Sequence, residues 1–172
     1  MSASPSILDT IIEQRQLGDK DIAQVDEQTT RMVFFTIGGQ IFAIKGAVIR
    51  EILAYCDIAY MPGCPSAMKG VINVRGDIES VISLAALLGL TEAPLSRKSS
   101  ILLAEAGGMR SGLTVDAVID VAEIPESAIQ PAPCTTANHQ QGIMTHAVTN
   151  GTLVATMIEL DPLFQNFARG LT

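Results

Sequence analysis

The sequence predicts a mainly β protein, built as two small barrels or one pseudo-symmetric double barrel, with only short helices. Three observations carry this. Short apolar runs alternate with turn residues over most of the chain. Two Gly-Gly turns, Gly38-Gly39 and Gly107-Gly108, stand 69 residues apart, and each precedes an Ala-Val-Ile triplet, at 47–49 and 117–119. Proline pairs follow (Pro62/Pro65 and Pro131/Pro133), then strands starting at Gly70 and Gly142, then the closing runs VISLAALL (81–88) and MIELDPLF (157–164). Markers that recur in one order point to two related halves. A half of about 70 residues is marginal alone and gains by sharing a core.

Residues 1–30 are polar, acidic and poor in strand formers. Ile7, Leu8, Ile11 and Ile12 recur at helical spacing, with Gly18 as a stop. This is a frayed extension with a helical turn or two, or a docking helix for a partner. The body begins at Arg31. MVFFTI and IFAI form a hairpin about Gly38-Gly39. AVIREIL (47–53) reads as a short helix or helical turn, with Val48, Ile52 and Leu53 on one face. MPGCP (61–65) is a loop braced by two prolines. GVINV and DIESVISL are strands joined through Arg75-Gly76, and AALLGL is a short helix ending near Gly89. TEAPLSRKSS (91–100) is a polar connector. ILLAEA and GLTVDAVIDVAEI are strands about Gly107-Gly108, the second running on into further structure. GIMTHAVT and TLVATMIEL form a hairpin at Asn150-Gly151. Asp161 caps a final helix with Pro162 at its first position.

Composition narrows the function. The net charge is −7 and the eleven basic residues are scattered, which argues against nucleic acid or an anionic membrane as partner. Three cysteines, Cys56, Cys64 and Cys134, show no CxxC spacing and read as reduced thiols. No run reaches the ~18 apolar residues of a membrane span, and the N-terminus lacks the basic region of a signal peptide. A soluble cytoplasmic protein is expected.

Enzyme signatures are absent: no GxGxxG, no GxxxxGK[ST], no GxSxG. His139 and His146 lack a third ligand in tight spacing, and nothing marks Cys134 as an activated thiolate. Asp116, Asp120 and Glu123 form an acidic row that reads as a solvated or turn-forming face. No catalytic residue, metal or cofactor is expected. Arg75-Gly76-Asp77 matches a cell-adhesion tripeptide only by composition. Arg75 itself is either a solvated turn arginine or a rigidly based donor group for a partner's carboxylate or carbonyl. The short aliphatic side chains around it suit a protein–protein surface.

At GVINVRG followed by VISLAALLGL the chain resembles the CheW family of chemotaxis coupling proteins, whose pattern there is Gly-Val-Ile-Asn-Leu-Arg-Gly and an apolar strand. VFFTIGGQIFAI resembles the family's opening hairpin, VIREI its Val-x-Glu-Ile-like segment, MPGCPSAMKG its proline loop, GLTVDAV its Gly-x-x-Val-Asp-x-Val strand and TLVATMIELDPLF its close. The resemblance covers residues 31–168. It implies two five-stranded, SH3-like barrels about a shared core. It also implies a non-catalytic adaptor that links chemoreceptor (methyl-accepting chemotaxis protein) signalling tips to the regulatory domain of a CheA-type histidine kinase, in arrays at the inner face of the membrane. By the same resemblance, Arg75, with Asn73 in its motif, supports receptor binding. Ile49 and Glu51 lie on a segment of the same groove, and Val118 and Val121 on the facing wall. Gly76 falls beside the kinase-facing end. Glu79 and Ser80 stand where the family often has an aliphatic residue and Pro, and Ser83 replaces a common Asp. These departures and the extension suit an adaptor of a non-flagellar system, for surface motility or biofilm. A small ligand-binding barrel and a fragment of the kinase are the remaining alternatives.

Overall fold

The computed structural model describes residues 27–132 and 142–170. The expected helical turns at Ile7–Ile12, together with Pro133, Cys134 and His139, lie outside them. The strands are β1 (Thr29–Ile37), β2 (Gln40–Lys45), β3 (Ile49–Ala54), β4 (Met68–Val74), β5 (Asp77–Ser83), β6 (Ser100–Ala106), β7 (Met109–Val115), β8 (Ala117–Pro125), β9 (Ile129–Pro131), β10 (Met144–Asn150) and β11 (Leu153–Ile158). Helices α1 (Leu84–Leu87) and α2 (Leu160–Gly170) each follow the last strand of a half. β1 starts two residues before the expected Arg31.

The strands form a five-stranded sheet, β3-β6-β7-β5-β4, and a six-stranded sheet, β8-β1-β2-β11-β10-β9. We call these the first and second barrel. The two halves are therefore interlocked. The opening hairpin β1-β2 pairs with β8 and β11 of the later half, while β6-β7 pairs with β3 and β5 of the earlier one. Each opening hairpin meets the last strand of the other half in parallel, Ala43 opposite Met157 and Gly112 opposite Val81. The sixth strand beyond the expected five is the three-residue β9; its counterpart in the first barrel is the single bridge Ala59–Val71.

This exchange explains why β1 and β2 lack a polar face. Val33, Phe35, Ile37, Phe42 and Ile44 pack into a core shared by both barrels, together with Ile82, Leu102, Ala104, Leu113, Ile158 and Phe164. The alternate residues Met32, Phe34 and Ala43 fill the second barrel with Ile124, Val148, Ala155 and Met157. Strands buried on both faces read as continuous apolar runs. The first barrel's own apolar cluster is smaller: Ile72, Val81 and Ile101 are buried in it, with Leu53, Ile58 and Val74 against them, and Leu103 and Glu79 are buried on the same faces of β6 and β5.

The structure corrects four expectations. Residues 47–53 are not a helix. A single 3-10 turn, Gly46–Val48, leads into β3, a strand conformation that β-branched Ile49 and Ile52 favour, with burial alternating residue by residue. Gly70 and Gly142 are not counterparts, because Gly70 faces Val81 and its equivalent facing Met157 is His146. Gly70 is required locally: at φ 143°, an added Cβ would lie 2.1 Å from the Ala59 carbonyl oxygen. The hairpin at Asn150-Gly151 turns one residue later, through Gly151-Thr152, with Asn150 paired to Leu153. Helix α2 begins at Leu160, so Asp161 is its second residue rather than its cap.

Asp116 ties the barrels together at the break between β7 and β8. Its N–H donates to the Thr36 carbonyl, and its Oδ2 accepts the Gly38 N–H at 2.7 Å.

Candidate docking site at the end of the first barrel

The β4-β5 hairpin has only Arg75 and Gly76 between paired Val74 and Asp77. Both turn residues have positive φ, 53° and 92°. That is the type I′ geometry whose twist matches the flanking strands. Asn73 fixes it: the Gly76 N–H donates to Asn73 Oδ1 at 2.8 Å. The lone amide of GVINVRG is thus a turn clamp.

Among the described residues Arg75 is the only non-glycine with positive φ. The equivalent position of the second barrel is Gly151, at φ 61°. A β-carbon in that region costs on the order of 1 kcal/mol. The side chain is not idle in solvent: Nη2 donates to Glu51 Oε1 at 2.6 Å, while the guanidinium stays largely exposed. The clasp joins β3 to the hairpin tip across the side of the barrel where β3 and β4 do not pair. The second barrel has a counterpart, in which Asn150 Nδ2 donates to Asp120 Oδ2 at 3.4 Å. Glu51 and Asp120 are equivalent, each following a β-bulge on an edge strand.

Of the residues expected at a site, Glu51, Asn73, Arg75 and Gly76 are brought together here. Ile49 and Val118 stand at equivalent places on β3 and β8, and both pack against the shared core. Val121 lies on the second barrel and is exposed; its equivalent in the first is Ile52, also exposed. Ile78 and Val154, beside the two hairpin turns, form a second exposed pair.

Sequence reasoning missed the charged set around Arg75. Arg50 Nε donates to Glu105 at 2.9 Å, and Arg110 Nη2 lies 3.0 Å from Glu79 Oε1. Glu105 and Arg110 face each other across β6-β7. A two-residue turn at Gly107-Gly108 dictates that pairing, so this part was within reach of the sequence. Glu79 is buried on the interior face, and Ser80 and Ser111 share a hydroxyl contact at 2.9 Å. These family departures are therefore packed and bonded.

The acidic row has structural partners throughout. Beyond Asp116, Asp120 Oδ1 accepts the Val121 N–H, and Glu123 accepts from Arg31 at 3.0 Å. Cys56 and Cys64 are free thiols, and among the described residues no cluster of three ligating side chains could hold a metal. A cleft of about 380 Å³ lies beneath connector residues 92–95. Its charged groups are bonded within the chain: Lys69 donates to Glu92 at 2.6 Å, and Asp116 holds Gly38. The Lys69 ammonium, then the Ser83 hydroxyl, keeps the Glu92 carboxyl below its ordinary pKa. Among the described residues no helix is long and apolar enough to cross a membrane.

Comparison with known proteins agrees with this architecture. A probable chemotaxis protein CheW of Rhizobium etli is 30% identical over 143 residues, covering 83% of this chain and 92% of its own. Protein PilI of Pseudomonas aeruginosa is 30% identical over 108 residues, 56% of this chain and 61% of its own. The crystal structure of the scaffolding protein TtCheW from Thermoanaerobacter tengcongensis superposes with a TM-score of 0.71 at 27% identity, covering 80% of this chain and 94% of that one. The CheW-like domain model matches residues 31–168, and the chain belongs to the CheW-like domain family.

Proposed function

We propose that this protein is a non-catalytic adaptor that couples chemoreceptor signalling tips to the regulatory domain of a CheA-type histidine kinase. One observation carries the reading: Arg75 occupies a backbone position that the other barrel gives to glycine, and its guanidinium points outward from a rigid turn. A residue held against its conformational preference at an exposed place is there for its side chain. The receptor-facing residues are Arg75 and Glu51, set by Asn73, with Ile49, Val118 and Val121 as the apolar contacts for a helical tip. Gly76, at the apex, is assigned to the kinase side. Glu51 holds the guanidinium in place until a receptor carboxylate or carbonyl takes one of its donors.

A pull-down with CheA-type kinases and receptor signalling domains of the same cell tests this. Wild type should capture both. Arg75→Glu should lose the receptor and keep the kinase. Capture of neither by wild type would leave the fold without the proposed role.

A second reading places the adaptor in a non-flagellar chemosensory pathway. It is favoured by the likeness to PilI and by Glu79, Ser80 and Ser83 at the departed positions. Pull-down against the receptor sets of each system separates the two.

A further inference from the structure

Three ion pairs encircle the end of the first barrel, and in each the arginine is the outer member. Side-chain exposure is 78% for Arg75 against 27% for Glu51, 59% for Arg50 against 43% for Glu105, and 45% for Arg110 against 10% for Glu79. The strand registers put them at one end. Arg50 is the bulge residue preceding Glu51, Glu105 faces Arg110 across β6-β7, and Glu79 lies two residues beyond Asp77 at the base of the Arg75 turn. Arg50 and Arg75 each donate one N–H to their carboxylate, through Nε and Nη2, and Arg110 Nη2 lies 3.0 Å from Glu79 Oε1. A guanidinium carries five donors in a planar fork, so the others are left for a partner.

The second barrel shows that this is not a requirement of the fold. Its residues equivalent to Arg50, Arg75 and Arg110 are Ile119, Gly151 and Ile41, and Ala155 stands where Glu79 does. Ile41 and Ala155 belong to that barrel's apolar packing.

We propose that Arg50 and Arg110 extend the Arg75 site into a three-arginine docking face that takes an acidic segment of a partner protein. This rests on the adaptor reading for its biological setting, though not for its measurement. The six paired charges sum to zero and Asp77 adds a negative one, so long-range steering is weak. Recognition comes from short charge-assisted bonds between partner carboxylates and the unused guanidinium donors. Exposed Ile78 and Ile52 at the same barrel supply the apolar contacts beside them. The partner is thus an acidic stretch interrupted by aliphatic residues.

The experiment follows the arginine Nε–Hε signals of the full chain by NMR during titration with an octaglutamate peptide, with octalysine as control. Arg31 is the internal reference, because it is exposed and paired to Glu123 in the same manner on the other barrel. The proposal expects saturable shifts at Arg50, Arg75 and Arg110, none at Arg31 or Arg97, and no response to octalysine. It also expects a Kd at least tenfold weaker in Arg50→Gln/Arg110→Gln, whose fold is checked by backbone spectra. Equal shifts at every arginine, no shift at all, or a double variant within twofold of wild type would overturn it. The pull-down above judges the adaptor reading separately, so a peptide-binding protein that captures neither kinase nor receptor keeps this face and loses that role.

Discussion

The two barrels share one strand plan and differ in how they are filled. The second packs Met32, Phe34, Val148, Ala155 and Met157 into its interior and closes with a long Asp120–Asn150 contact. The first has a smaller apolar cluster in its interior, beside buried Glu79, closes with the short Glu51–Arg75 pair, and ends in charge. Where the sequence is free to repeat itself, as at the Gly-Gly turns with φ of 58° and 78° in one half and 58° and 77° in the other, it does. Where it does not, the first barrel has exchanged apolar packing for exposed, fixed polar groups. The second barrel holds the fold, and the first presents a surface.

The largest test of that contrast is in the interiors. Phe34 and Leu103 stand at equivalent, fully buried positions. Phe34→Ala is expected to cost about 3–5 kcal/mol in urea unfolding, and Leu103→Ala less, nearer about 2–3 kcal/mol. An equal or reversed order would break the comparison. Native-state hydrogen exchange should likewise show β4-β5 amides opening more readily than β10-β11.

Next comes the inner ion pair. Arg110→Ala leaves Glu79 buried and unpaired, and should cost about 1–2 kcal/mol. That is below the cost of breaking a fully buried pair, because Arg110 is half exposed. Importing the second barrel's residues, Glu79→Ala with Arg110→Ile, should come within about 1 kcal/mol of wild type. Should the double variant be as unstable as the single one, the charges would be structural necessities of this end.

A smaller effect is expected at acid pH. Glu92 has a depressed carboxyl pKa in the folded state through Lys69 and Ser83. Its contribution is present above the ordinary value of 4.5 and is lost as pH falls through the lower folded value. Glu92→Gln should therefore lose that contribution at pH 7, to about the same extent as Lys69→Gln, and flatten the stability profile below about pH 4.5.

Much of this was legible in the chain. The repeat, the hairpins and the helix ending before Gly89 follow from turn chemistry and apolar runs. The exchange of hairpins between halves was not, since a strand buried on both faces, such as MVFFTI, carries no mark of which sheet it joins. Residues 47–53 misled because Val48, Ile52 and Leu53 match a helical spacing as well as the strand that β-branching favours. At the site, Arg75 and Asn73 were both found through the motif. Arg50 and Arg110 were passed over, and Glu79 was noted only as a departure from the family pattern, because single charges within strands read as solvent-facing until pairing places them side by side.

The Arg75 side chain serves either binding or folding. Arg75→Gly separates these, because it removes the side chain and gives the turn the residue its twin already has. Calorimetric titration of wild type and Arg75→Gly with a receptor signalling domain is the direct test. We expect affinity to fall at least tenfold while stability stays within about 1 kcal/mol of wild type, since turn strain is relieved as one exposed ion pair is lost. Unchanged affinity, or a variant that no longer folds, would contradict it.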